Sequence, residues 1–414
     1  MKSFEKEFLS VLSAYFQKKD DVSVSKENLE KILSLANAHN VLPLVCDVLS
    51  KNYGEEESFQ KRKSLALAAY SSQCIRNERF LSVCRTLSKN GIEPICVKGA
   101  CLRSLYKDGS LRPSGDEDLL IKKEDEKLFE RMMKENSFVL RNEGANEKAY
   151  FDSSTSLLLE AHTSLFFENG ELGKKLEELF PSPFSGSKMV MIENTPVLTL
   201  GVQSGLLYLV CHAFKHFIRS GFGIRQVCDI AVYMRKYKAE LDFSLLESEL
   251  SKINAAVFFE GIVNIAVKHL GFTDIAFSSL DTDMNEMPLL EDILCAGVYG
   301  KSDSSRVHSA GITLSAVADG NKNFSIFSAL FPSMKSLAKN YPSLEKFRFL
   351  YPWFAFLRIF KYIISVLFKK NGVGTPQESI RIAKERTELL RKYKITAETS
   401  DIFERRKALE RNDC

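Results

Sequence analysis

The sequence VKGACLRSLYKDGSLRPSGDEDLLI, residues 97–121, ends with Asp116 and Asp118 at the start of a short apolar run. Side chains two residues apart on a β-strand project from the same face. Adjacent carboxylates repel each other unless a positive charge neutralises them, and a hard divalent cation such as Mg²⁺ or Mn²⁺ does so with oxygen ligands. The spacing therefore predicts a metal site at Asp116 and Asp118. The alternative is a solvated loop in which Ser114-Gly115 forms a turn before the strand.

A second signal lies upstream, where Lys98-Gly99 follows the short apolar run Ile95, Cys96 and Val97. A glycine at the exit of a strand lets the backbone approach a phosphate closely, and the start of the following helix favours anions. This pattern predicts phosphate contacts at Lys98 and Gly99. The alternative is that Lys98 is a solvated lysine at the end of a strand.

These elements resemble the nucleotidyltransferase fold of the DNA polymerase beta superfamily, in which a glycine-containing pair opens a helix and an acidic pair follows on the next strand. The resemblance is closer to an uncharacterised nucleotidyltransferase family that reads Lys-Gly, a helix, Arg, then Gly-Asp-x-Asp-Leu-Leu. The matching residues here are Lys98-Gly99, Arg112 and 115–120. The resemblance covers residues 91–165 and extends more weakly over most of the remaining chain.

The resemblance implies metal-dependent transfer of a nucleoside monophosphate from an NTP such as ATP to an acceptor hydroxyl. Asp116 and Asp118 are then the expected catalytic metal ligands, with Mg²⁺ or Mn²⁺ as cofactor, and Arg112 is an expected phosphate ligand. Two residues depart from the pattern. Ala100 offers no hydroxyl to a phosphate, and Glu117 replaces an apolar residue between the aspartates. Both departures favour the alternative of a nucleotide-binding or interaction protein without turnover.

The superfamily usually adds a third carboxylate from a later strand, and Glu160 in the segment LLLEAH (157–162) is the candidate. In the resembled family an acid at this position is followed, two residues on, by histidine, here His162. Glu160 is predicted to complete the metal shell or to act as general base towards the acceptor. The alternative is an acid on an edge strand with a histidine nearby. His162 is expected to pack or to form hydrogen bonds, because Mg²⁺ prefers oxygen ligands.

Another group of polar residues lies in a helical region downstream. His212 and His216 are four residues apart and share a helix face, and Arg225 and Asp229 have the same spacing beyond a glycine-rich turn. We predict that Arg225 binds phosphate, because arginine offers a bidentate fork. Lys215 and His216 are further candidates, with Asp229 orienting one of these groups. The alternative is a structural polar network that joins two helices.

The hydrophobic periodicity changes twice along the chain. Residues 1–90 show helical stripes, 91–200 alternate strand and helix patterns, and helical periodicity returns after 201. We therefore predict an α+β protein with a small mixed-sheet nucleotidyltransferase core at 91–200. An N-terminal helical region (1–90) and a C-terminal helical domain (201–372) flank this core, and a helical tail follows at 373–414.

Composition restricts the partners only weakly. The 57 basic and 53 acidic residues give a net charge of +4, so overall charge favours no particular partner. The exception is segment 334–370, where eight Lys or Arg residues and one acid are interleaved with aromatic residues. This segment is a candidate contact for a membrane surface or a nucleic acid.

The cysteines and the N-terminus indicate a cellular location. Nine scattered cysteines without a Cys-x-x-Cys pair are typical of reduced thiols, and the charged N-terminal residues do not read as a secretory leader. We therefore expect a cytoplasmic protein. The sequence leaves open the oligomeric state and the acceptor, which is a protein, a small molecule or an RNA.

Overall fold

A computed structural model describes residues 1–19, 22–144, 146–166, 171–297, 347–357 and 376–395, together with Tyr341, Leu344 and Phe360. The predictions made for most of segment 334–370 and for the tail beyond residue 395 lie outside the described residues. Within the described part, none of the helices combines the length and the apolar character needed to cross a bilayer.

The described chain folds as helices around one mixed sheet, which confirms the predicted α+β class. The helices are α1 Ser3–Gln17, α2 Lys26–Ala38, α3 Leu42–Tyr53, α4 Glu57–Lys89, α5 Ala100–Arg103, α6 Glu126–Glu135, α7 Glu171–Glu178, α8 Val202–Arg219, α9 Ile224–Tyr237, α10 Phe243–Ser251, α11 Ala256–His269, α12 Met287–Ala296 and α13 Pro376–Lys392. The strands are β1 Ile95–Cys96, β2 Glu117–Leu120, β3 Val139–Glu143, β4 Glu147–Asp152, β5 Leu157–His162, β6 Lys188–Ile192 and β7 Thr195–Thr199.

The seven strands have the order β3-β4-β5-β2-β1-β7-β6. Strand β2 pairs with β5 in parallel and with β1 antiparallel, so the strand of the acidic motif lies in the middle of the sheet. The β2–β5 register sets Asp118 opposite Glu160 and Leu120 opposite His162. The two parts of the predicted metal site, more than 40 residues apart in sequence, are therefore neighbours on adjacent strands.

The sheet separates two hydrophobic cores. Leu119 and Leu159 pack in the core that α4 and α6 form on one face of the sheet, where Phe80 and Phe129 are fully buried. Leu120 belongs to the larger core on the other face. Because side chains alternate along a strand, Asp118, Glu160 and His162 project towards this second face.

The larger core joins α1, α2 and α3 to the helices that follow the sheet. Phe8 and Ile32 from the N-terminal helices and Phe214 and Phe258 from α8 and α11 belong to the same buried cluster. The N-terminal helices and the helices after residue 201 thus share one core. The domain limits given above stay predictions. The role of this core for the site is to hold α8 against the strand ends.

Candidate active site

The Lys98-Gly99 turn has a conformation that requires glycine. Gly99 has φ +65°, and a Cβ atom at this position would lie 2.1 Å from Oε2 of Glu117. The turn leads directly into the four-residue helix α5. The sequence therefore uses glycine here both for its backbone freedom and for close packing against the acidic strand.

Glu117 lies on the face of β2 opposite to Asp118, in the core rather than in the metal site. Its Oε2 accepts a hydrogen bond of 2.8 Å from the backbone amide of Ala100. Its Oε1 lies 2.6 Å from the guanidinium of Arg103, and both side chains are almost completely buried. Burial raises the pKa of Glu117, and Arg103 counteracts this. The acid in the apolar position of the motif is thus neutralised by an arginine four residues beyond the glycine turn.

Asp118 is the centre of the acidic cluster on the other face. Lys98 Nζ lies 3.1 Å from its Oδ2, and His162 Nε2 lies 3.4 Å from its Oδ1. Burial raises the pKa of Asp118, but Lys98 and His162 outweigh burial and lower the pKa to about 2. Asp118 is therefore ionised at neutral pH and available as a metal ligand.

Glu160 lies next to Asp118 and in contact with His162, at 3.9 Å between Oε2 and Nε2. Burial, followed by the charges of Asp118 and Asp116, raises the pKa of Glu160 to about 7. A carboxyl group with this pKa exchanges a proton near neutral pH, as a general base requires. A bound cation would favour its ionised form instead.

The donor set fits a divalent metal ion. One ligand atom from each of Asp118, Glu160 and His162 lies within 4.8 Å of the others. Asp118 Oδ2 and His162 Nε2 are buried without an aligned hydrogen bond among the described residues. Two carboxylates suit Mg²⁺ or Mn²⁺, and the imidazole suits a softer transition metal. Asp116 is outside this cluster and lies in the wall of the same cavity, so its predicted role as a ligand stays a prediction.

A cavity of about 380 Å³ opens over the cluster. Asp116, Asp118, Glu147, Glu160 and His162 form the wall on the sheet side, and His212, Lys215, His216 and Arg219 of α8 are among the residues of the opposite wall. Lys98 and Tyr208 also contact this space. Arg219 was missed in the sequence, although the spacing of 212, 215, 216 and 219 over two helical turns was available as a signal.

His212 and His216 contact each other in this wall, with their Nε2 atoms 3.1 Å apart. Burial, followed by the charges of Lys98, His216 and Lys215, lowers the pKa of His212 well below its ordinary value. His212 is therefore a neutral imidazole at pH 7, which fits a hydrogen-bonding role in the cavity wall.

Arg112 and Arg225 lie deeper, beside a smaller space. Arg112 forms a bidentate pair with Asp229, with hydrogen bonds of 2.6 and 2.7 Å, and Tyr106 donates to the same carboxylate at 2.7 Å. Burial opposes ionisation of Asp229, but Arg112 outweighs it and lowers the pKa. Arg225 donates to the carbonyl of Pro113 at 2.5 Å. These contacts join α9 to the loop before β2, whereas the structural alternative in the sequence analysis was a network between two helices.

The smaller space has a volume of about 30 Å³, and Lys98, Gly99, Arg112, Asp116 and Arg225 are among its lining residues. A water molecule needs roughly 10–15 Å³ by this measure, so the space has room for about two waters. Arg112 and Arg225 are held by hydrogen bonds within the protein, and their contacts with phosphate stay predictions.

A glycine turn, a short helix and an acidic strand on a mixed sheet, with a further carboxylate on the neighbouring strand, define the class of nucleotidyltransferase-like proteins. The profile of the uncharacterised nucleotidyltransferase family matches residues 25–271, well over half of the chain. The chain belongs to this family, which confirms the resemblance stated above. No curated protein and no solved structure matches the chain.

Proposed function

We propose that the protein transfers a nucleoside monophosphate from an NTP, with ATP as the first to test, to an acceptor hydroxyl, and that it uses a divalent metal ion. Membership of a nucleotidyltransferase family supports the general role. The single observation that carries the finer proposal is the cluster of Asp118, Glu160 and His162 in the sheet-side wall of the 380 Å³ cavity.

In this proposal Asp118 and Glu160 hold Mg²⁺ or Mn²⁺, with Asp116 reaching the ion from the cavity wall and His162 completing or supporting the shell. A bound ion of this kind supplies neutralisation of the triphosphate charge. Lys98 and the backbone of Gly99 position the phosphates near the end of β1. The supporting contact is the Lys98–Asp118 pair, which fixes the ammonium beside the cluster.

Glu160 has a second role in the proposal, as proton acceptor for the attacking hydroxyl. Its position opposite Asp118 on the neighbouring strand supports this role, because a general base must lie within reach of the proton that it accepts. The eight described cysteines are free thiols, in line with the proposed cytoplasmic location.

The experiment uses each of the four NTPs labelled on the α-phosphate, with Mg²⁺ or Mn²⁺, alone and with cell extract. We expect label on a macromolecule or metabolite, and loss of that label by at least about 100-fold in Asp118→Asn and Glu160→Gln. Glu135→Gln, an exposed acid on α6, is the matched control and should keep full activity. Equal labelling by wild type and Asp118→Asn would refute the proposal.

A second candidate function is nucleotide binding without transfer. The observation in its favour is that the amide of Ala100 donates to Glu117, so this helix-terminal donor is engaged before any phosphate binds. Measurement of NTP binding together with pyrophosphate release decides, because a sensor binds an NTP with metal and releases no pyrophosphate.

A third candidate is a membrane or nucleic-acid contact, which the exposure of Phe349 (76%) and Trp353 (60%) favours. Binding to liposomes and oligonucleotides at two salt concentrations tests it.

A further inference from the structure

One face of α8 presents basic and imidazole groups to the cavity. Lys215, His216 and Arg219 follow His212 by three, four and seven residues, so the four side chains lie along one side of the helix. All four line the 380 Å³ cavity. At a rise of about 1.5 Å per residue they cover roughly 10 Å of helix. We call these four residues the α8 basic face.

The α8 basic face lies across the cavity from acidic residues. Asp116, Asp118, Glu147 and Glu160 belong to the sheet side of the same cavity. A ligand that satisfies both walls must carry negative charge towards α8 and must bring a cation to the carboxylates. A metal-bound polyphosphate has this charge distribution, whereas a single carboxylate or sulfate ligand does not extend along the four-residue face.

Arg112 and Arg225 line a much smaller space than the α8 basic face. The space beside these two arginines has a volume of about 30 Å³, whereas Lys215 and Arg219 line the cavity of about 380 Å³ over the acidic cluster. A triphosphate with a bound cation needs the larger volume. Lys215 and Arg219 also interact within the protein, so phosphate binding replaces or adds to those contacts.

We propose that the α8 basic face binds the polyphosphate chain of a nucleoside triphosphate, with Lys215 and Arg219 as its charged contacts and His212 as a hydrogen-bonding partner. This inference rests on the proposed function, because it assigns the triphosphate of that reaction to one wall of its cavity. Arg219 contributes a planar fork that matches phosphate oxygens, and Lys215 contributes a point charge.

The competing explanation is local to the helix. Basic residues in the last turn of α8 also stabilise the negative end of the helix dipole, typically by a few tenths of a kcal/mol to about 1 kcal/mol. That effect changes the stability of the protein and leaves its affinity for phosphate unchanged. The two explanations therefore differ in a measurable quantity, the dissociation constant of a polyphosphate.

The experiment measures the Kd of inorganic tripolyphosphate with Mn²⁺ by calorimetry, for wild type, Lys215→Gln and Arg219→Gln. We expect each substitution to weaken binding about tenfold, while Arg219→Lys weakens it less. The matched control is Lys236→Gln, which removes the same charge from the exposed side of α9, outside the cavity. Its Kd should stay within about twofold of wild type.

Failure of this inference is distinct from failure of the proposed function. If Lys215→Gln and Arg219→Gln bind tripolyphosphate as wild type does, the inference is overturned even when label transfer is intact. A lower melting temperature with an unchanged Kd overturns it as well, in favour of the helix-dipole explanation. Tenfold weaker binding in a protein that transfers no label supports the phosphate site and contradicts transfer. If Arg219→Gln does not fold, Lys215→Gln and Arg219→Lys decide.

Discussion

The buried pair of Glu117 and Arg103 gives the sharpest test of how this fold tolerates an acid in its core. The two groups are 2.6 Å apart with side-chain exposures of 2–3%. Removal of one partner of such a pair leaves an uncompensated buried charge and costs about 3–5 kcal/mol, whereas removal of both is often neutral. We therefore expect Arg103→Met to lower the free energy of unfolding by about 3–5 kcal/mol. The double variant Arg103→Met/Glu117→Gln should recover the part of this loss that comes from the buried charge, while the hydrogen bonds from Arg103 to Ser114 and Asn77 stay lost.

Glutamine is the matched replacement because it keeps an acceptor for the Ala100 amide, which otherwise loses a partner at a cost of about 1–3 kcal/mol. The pH dependence gives a second signature in Arg103→Met. Burial already raises the pKa of Glu117, and loss of the arginine raises it further. Since the folded pKa then lies above the unfolded one, stability is fully present below the unfolded pKa and falls as the pH rises through the folded pKa.

A double-mutant cycle tests this prediction. Urea denaturation is measured at pH 5 and pH 8 for the wild type, both single variants and the double variant. Arg103→Met should be closer to wild type at pH 5 than at pH 8, and the double variant should show no such difference. If the double variant loses as much stability as the sum of the two single variants, the ion pair is not the unit that stabilises the turn, and the reasoning fails.

Three further predictions concern the same turn and cluster. Gly99→Ala should lower the free energy of unfolding by more than about 2 kcal/mol, because the added Cβ atom meets Glu117. Gly91 also has a positive φ but faces open space, so Gly91→Ala should lower it by only about 1 kcal/mol. Urea denaturation measures both values. In metal-free buffer Glu160→Gln should stabilise by up to about 3 kcal/mol at pH 8 and by nothing at pH 4, because a pKa raised from 4.5 to about 7 removes stability between those pH values; equal stability of both proteins at pH 8 would contradict it. Mn²⁺ should raise the melting temperature of wild type and leave that of Asp118→Asn unchanged, by mass action on the folded state; an equal shift in both would exclude Asp118 as a ligand.

The local parts of the site were predictable from the sequence. Because side chains alternate along a strand, the sequence predicted on which face of its strand each of Asp118 and Glu160 lies. Gly99 indicated the position of the turn. Strands β4, β6 and β7 were not predicted individually, although they lie within the predicted core range. Strands β6 and β7 are each five residues long, and Pro196 inside β7 normally counts against a strand. The pairing of β7 with β1 joins segments that are distant in sequence, and no local pattern encodes it.

Long-range partners were the second part that the sequence could not provide. Arg112 was predicted to bind phosphate, and Asp229 was predicted to orient Lys215, His216 or Arg225. The structure instead pairs Arg112 with Asp229, 117 positions apart, in a bidentate contact. Periodicity gives the face on which a side chain lies and contains no information on which distant charge meets it. The cavity wall on α8 shows the same limit, because the spacing of its residues was visible and the acidic wall opposite was not.

The long-range partner of Glu117 could have been inferred from the sequence. The sequence had one acid at a strand position that normally faces the core, and one arginine, Arg103, in the short helix after the glycine turn. A buried charge is tolerated only when it is paired. An acid and an arginine within one compact motif are therefore expected to pair with each other. The structure contains this pair and adds the Ala100 amide as a second donor to Glu117. The departure that counted against the motif therefore ties the glycine turn to the acidic strand, and it does so from the face opposite to the cavity.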